Sequence, residues 1–122
     1  MHVHILQQLT TIRGAASTNV TQAEDDWLDL ANYADVILLL HVTEVFGSTP
    51  QIAFETSPAK DSVLFQSMVV AANMAAGLTQ SKVILATNPS VPLARWLRWT
   101  ITGPAATWDA TFRCYAYTNP AP

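Results

Sequence analysis

Apolar and polar residues alternate most cleanly from Thr107 to Tyr117. Trp108, Ala110, Phe112, Cys114 and Ala116 fall on one side of this run; Thr107, Asp109, Thr111, Arg113, Tyr115 and Tyr117 fall on the other. A period of two marks a strand with one buried face. Arg95 to Ile101 repeats the pattern, with Leu97, Trp99 and Ile101 opposed to Trp96, Arg98 and Thr100. From Asp35 to Val45 the chain is apolar on both faces at first, which suits a central strand. Phe46 to Pro50 is a turn sequence, because glycine permits positive φ and proline cannot donate to a ladder. Gln51 to Ser57 then alternates again, so the two runs are expected to form a hairpin.

The remaining segments are read with the same rules. Val3 to Ile12 is a first strand, with His4, Leu6 and Gln8 on one side and Val3, Ile5, Gln7 and Leu9 on the other. Arg13 to Thr21 has the composition of a loop. Glu24 to Asp26 is an acidic tip, followed by a short apolar piece, Trp27 to Leu30, that turns through Asn32; Pro58 to Asp61 is a further turn. Val63 to Ala76 admits two readings. Its Ala, Met and Gln content and Gly77 suit a helix, while Val63, Phe65, Ser67 and Val69 suit a strand. Since its neighbours are strands, a strand from Val63 to Val70 followed by a loop is expected. Lys82 to Thr87 is another strand, broken by Asn88 to Pro92, and Thr102 to Pro104 is a turn. The tail, Thr118 to Pro122, is expected to lie outside the sheet.

Seven to eight short strands at regular spacing predict an all-β protein, a two-sheet antiparallel β-sandwich of jelly-roll-like type. No composition break divides the 122 residues, so residues 1–122 are read as one domain. The segment 1–21, least patterned internally, is read as an N-terminal strand or arm and loop, and as the part of the chain for a partner to order.

Composition narrows the function. Half of the residues are hydrophobic and 12% are charged, about half the usual ~25%. Either Thr, Ser, Asn and Gln solvate the surface, or part of it is covered by other copies or partners. The net charge is −3 with six Lys and Arg, of which only Arg95 and Arg98 sit close together. That disfavours nucleic-acid binding. No apolar run approaches the ~20 residues that span a bilayer, and Met1-His2-Val3-His4 lacks the features of a signal peptide. Synthesis in a cytoplasm and no membrane partner are therefore expected.

No catalytic constellation emerges, and the chain is read as a non-enzyme without a cofactor. The single cysteine, Cys114, alternates with Phe112 and Ala116 and should point into the core rather than act as a nucleophile. His2 and His4 share a strand face, but a metal site needs further converging ligands, and His41 is read as a core-edge histidine with a hydrogen-bonded ring. The acidic tip lacks the spacing of a calcium loop, and no glycine-rich phosphate loop or Gly-x-Ser-x-Gly elbow occurs. The residues that stand out are aromatic and cationic. If their strands share a sheet, Trp96, Arg98, Arg113, Tyr115 and Tyr117 form one exposed patch for protein or sugar binding.

Tyr33-Ala34-Asp35-Val36-Ile37, Glu55-Thr56-Ser57-Pro58, Leu64-Phe65 and Pro92-Leu93-Ala94-Arg95-Trp96-Leu97-Arg98-Trp99 precede the alternating last strand. In this order they resemble small β-sandwich virion accessory proteins of tailed bacteriophages, of the head decoration or head fibre type. The resemblance runs from about Trp27 to Tyr117 and rests on structural motifs, so it carries over no functional residues. It implies a structural virion protein on the capsid exterior, made in the bacterial host cytoplasm. It would bind the major capsid protein or other virion proteins and form a homo-oligomer. The last strand, at a sheet edge, would be free to pair with another chain. The alternative is a carbohydrate-binding module in which Trp96, Tyr115 and Tyr117 stack on a glycan.

Overall fold

The computed structural model describes residues 2–74, 79–85 and 93–120. The chain runs through β1 (His2–Gly14), β2 (Val20–Thr21), a 3-10 turn at Glu24–Asp26, β3 (Leu28–Asp29), β4 (Tyr33–Gly47) and β5 (Gln51–Ser57). A second 3-10 turn at Ser62–Leu64 leads to β6 (Gln66–Asn73), β7 (Thr79–Leu85), β8 (Trp96–Thr102) and β9 (Trp108–Pro120). All strand pairs are antiparallel. They form two sheets, ordered β1-β9-β4-β7 and β2-β8-β5-β6, with β3 also on β8. Taking β2 and β3 as one interrupted strand gives eight. The order is that of a jelly roll, in which consecutive strands pass from one sheet to the other except at β5 and β6.

The core lies between the sheets. Val36, Leu38, Leu40 and Val42 of β4 and Trp108, Ala110, Phe112, Cys114 and Ala116 of β9 face Ile52 and Phe54 of β5 and Leu97, Trp99 and Ile101 of β8, all buried. The Trp99 and Phe112 rings meet edge to face, 5.2 Å apart, joining the layers. The alternation legible in β8 and β9 therefore assigns the inner faces correctly.

Several expectations are corrected. β4 and β5 are not a hairpin: β4 pairs with β9 and β7, and β5 with β8 and β6. The turn at Gly47 (φ +79°) and buried Pro50 carries the chain across the sandwich instead. β9 is not an edge strand, since it lies between β1 and β4. Its tail stays in the sheet through Pro120, where Thr118 is buried and hydrogen bonded to His4 Nε2 at 3.1 Å. In the N-terminal segment, the expected first strand is β1, which runs along β9. The ambiguous middle segment is a strand over Gln66–Asn73, with Val63 and Leu64 in the 3-10 turn before it. Residues 75–78 and 86–92, including the expected break at Asn88 to Pro92, lie outside the described residues.

Two polar devices tie the layers together. β1 carries register shifts between Ile5 and Gln7 and between Gln7 and Thr10. Leu6 stays on the core side, and the bulges turn Gln7 inward from the side on which simple alternation put it, so that Trp99 Nε1 donates to Gln7 Oε1 at 3.1 Å. Buried Gln22 completes the brace. Its Nε2 donates to the carbonyls of Leu6 and Asp26, and its Oε1 accepts from the Trp99 amide.

Candidate interaction surface

The five residues expected to form one patch lie on two opposite outer faces. Trp96 and Arg98 belong to β8, in the second sheet; Arg113, Tyr115 and Tyr117 belong to β9, in the first. Alternation assigns residues to faces but does not say which strands share a sheet, so the patch and the three-residue glycan platform are not formed.

Arg98 is also covered, at 6% exposure. Its guanidinium lies 3.9 Å over the Phe65 ring and 5.0 Å from that of Trp27. Nε donates to Glu55 Oε1 at 2.8 Å, and Nη1 to Ser62 Oγ at 3.0 Å. The side chain thus pins both 3-10 turns to the outer face of the second sheet. Trp96, half-buried, has the Lys60 ammonium and the Arg95 guanidinium against its ring. Arg95 itself forms a two-pronged bond to Asp29, which lowers the Asp29 carboxyl pKa from its ordinary value.

The outer face of the first sheet is different. Cross-strand registers line up Val3, Tyr117 and Ile37 in one row and Ile5, Tyr115 and Leu39 in the next. Val3 and Ile5 are 60% and 57% exposed, and the other four keep part of their surface in water. At one end of these rows lie Arg113 and His41, paired across β9 and β4; at the other lie Asn119 and Asp35. The Arg113 guanidinium leans over Tyr115, 5.7 Å from its ring centre. Arg113 Nε and His41 Nδ1 are buried without a hydrogen-bond partner among the described residues, so the expected hydrogen bond at this His41 nitrogen is absent. The signal for the face was the doubly apolar start of β4, whose outward residues Ile37 and Leu39 simple core-filling does not require.

β1 borders this face and is an edge strand among the described residues, with β9 as its neighbour in the sheet. Leu9, within the second register shift, is 59% exposed. A shallow groove of about 260 Å³ beside the bulges is lined by Ile5, Leu6, Gln7, Gln8 and Asp26.

The other candidates do not converge. His2 and His4 pack edge-on against Tyr33, with ring centres 5.8 and 5.2 Å away, while His41 lies on the opposite side of the sheet. Among the described residues, no three His, Cys, Asp or Glu are grouped to hold a metal. Burial pushes the Cys114 thiol pKa up to about 12, the reverse of what a nucleophilic cysteine needs. Among the described residues no helix is long and apolar enough to cross a membrane.

No protein-family model matches the chain, and no curated protein matches it. A chain from the solved structure of Bacillus endospore appendages, described as a novel family of disulfide-linked pili, aligns with 97% of this chain and 91% of that one. The identity is 20% and the TM-score 0.45, so the likeness carries no argument about function.

Proposed function

We propose that this chain is a structural protein that works by docking onto other protein surfaces. Its place would be the outside of a tailed-bacteriophage capsid, as a decoration protein bound to the major capsid protein. The observation that carries the docking reading is β1, a 13-residue edge strand with Val3, Ile5 and Leu9 exposed and Arg13 as its one Lys, Arg, Asp or Glu. Long edge strands with exposed apolar side chains are sites where a second chain adds, unless charge or proline blocks them. The bulges and the Gln22 brace occupy the middle of β1, where Leu9 projects within the second bulge, and leave its two ends regular. The phage setting is supported by the resemblance of the strand motifs to virion accessory proteins and by the low share of charge. The jelly roll serves in viral shells and in lectins alike, so the fold does not choose between them.

An epitope-tagged copy expressed in its bacterial host, followed by density-gradient purification of phage particles, tests the reading. The tagged chain should band with the major capsid protein, and Leu9→Lys should move it to the unbound fraction. A wild-type chain that stays wholly unbound overturns the capsid assignment.

A further inference from the structure

We infer that the N-terminal end of the β1 edge takes an extended segment of a partner protein, one with two apolar residues in alternate positions and a Lys or Arg directly after them. This rests on the docking reading of β1 and names the chemistry that such a partner presents.

The edge itself calls for a strand. Among the described residues β1 has β9 on one side and no strand on the other. His2 to Ile5 pair with Thr118 to Tyr115 in regular register. An extended segment laid along that stretch gains main-chain hydrogen bonds, and its side chains alternate between the two faces. Its residues level with Val3 and Ile5 lie on the outer face. There they lengthen the rows Val3-Tyr117-Ile37 and Ile5-Tyr115-Leu39 by one place. Val3 and Ile5 are each more than half exposed, so apolar residues at these two levels cover them as same-face neighbours do within a sheet.

The sign of the charge comes from the next level. A residue level with Leu6 points to the inner side, at the groove lined by Ile5, Leu6, Gln7, Gln8 and Asp26. Asp26 ends the 3-10 turn Glu24–Asp26, which joins β2 to β3 of the second sheet and so flanks β1 on the side away from Val3 and Ile5. Gln22 holds the turn there, its Nε2 donating to the carbonyls of both Leu6 and Asp26. Glu24, Asp25 and Asp26 are all exposed, and none forms an ion pair with a described residue. On β1 itself, His2 to Ile12 contain no Lys or Arg. A Lys or Arg entering the groove therefore meets unopposed carboxylates, whereas an Asp or Glu is repelled. Exposed pairs of this kind add little affinity; they select the partner and its register, and salt weakens them. The register shift after Ile5 breaks the regular ladder, so the charged residue marks the end of the added strand.

Two blocked peptides test this by NMR titration of the isotope-labelled chain. One is Thr-Lys-Val-Thr-Val-Lys-Thr, which reads alike in both strand directions; the other has Glu in place of each Lys. Amide shifts with the Lys peptide should centre on His2 to Gln8 and Glu24 to Asp26, with a dissociation constant of about 1 mM. The Glu peptide should bind at least about fivefold more weakly at low salt, and about 0.5 M salt should close the gap. Glu24→Gln, Asp25→Asn and Asp26→Asn together should close it as well, with the remaining amide signals unmoved. Ile5→Thr should weaken the binding of both peptides. No shifts, shifts centred elsewhere, or equal affinity for the two peptides at low salt overturn the inference. A preference that survives the triple neutralisation, or binding untouched by Ile5→Thr, overturns it too. The gradient test of particle binding fails separately. A chain that bands with the capsid protein yet prefers neither peptide loses the basic segment alone, and one that prefers the Lys peptide yet stays off the particles loses the capsid assignment alone.

Discussion

Gln22 Nε2 donates to the carbonyl oxygen of Leu6 at 2.6 Å, binding the segment that follows β2 in the second sheet to β1 in the first. The same side chain accepts from the Trp99 amide at 3.3 Å. Replacing Gln22 by Ala removes these bonds and leaves a buried donor and a buried acceptor unmet. The expected loss is about 2–3 kcal/mol, read as a lower midpoint in urea unfolding.

Gly14 faces the Trp108 indole, and a Cβ built on it would clash with the Cε2, Cζ2 and Nε1 atoms of that ring. Gly14→Ala should therefore displace Trp108 from its buried site, with a cost of about 2–3 kcal/mol. The reporter is Trp108 itself. Its near-ultraviolet dichroism should change in the folded variant, whereas Ala15→Ser in the adjacent exposed turn should alter neither signal nor stability.

Arg98 and Glu55 form an ion pair whose side chains are 7% and 18% exposed. Arg98→Met strands the Glu55 carboxylate and frees both 3-10 turns, at an expected cost of about 2–4 kcal/mol. Adding Glu55→Gln removes the stranded charge and should restore part of the loss. A double-mutant cycle by chemical unfolding measures the coupling.

Cys114 gives a pH dependence with a defined sign. Its folded pKa is raised by burial to about 12 from an ordinary value of 9.0. The unfolded chain therefore loses this proton first as pH rises. The contribution to stability is complete below about pH 9 and declines as pH rises toward 12. Comparing the wild type with Cys114→Ala across this window isolates it: the wild type should fall more steeply. At pH 8 the native thiol should resist alkylation and react on unfolding.

The sequence makes the strands legible but not their partners. The alternation of β8 and β9 follows directly from which side chains fill the space between the sheets, so Trp99, Phe112 and Cys114 are placed correctly. The same pattern is silent on pairing, because a residue pointing inward looks alike from either sheet. That is why β4 and β5 read as a hairpin and why Trp96 was grouped with Tyr115. Gln7 escapes the pattern because bulges reset the alternation of β1, and no bulge residue announces itself in His2–Gly14. Thr118 and Pro120 look unsuited to a sheet, yet His4 and Tyr33 hold them there through long-range contacts. Of the apolar outer face of the first sheet, Tyr115 and Tyr117 are legible as outward residues. Ile37 and Leu39 were visible as apolar, but their companionship with the tyrosines needed the β4–β9 register.

The position of β9 also sets the order in which the domain can be built. The first sheet has its last-synthesised strand at its centre, between β1 and β4. While a ribosome is still making residues before Trp108, those two strands have no template between them and the edge of β4 that pairs with β9 stays open. The remedy arrives only with the final strand, which must enter between segments separated from it by much of the chain. Such non-local closure is slow, and the waiting chain is exposed to aggregation. Nascent chains stalled just short of Trp108 should accordingly be protease-sensitive along β4, with protection appearing as a single late event once β9 clears the ribosome.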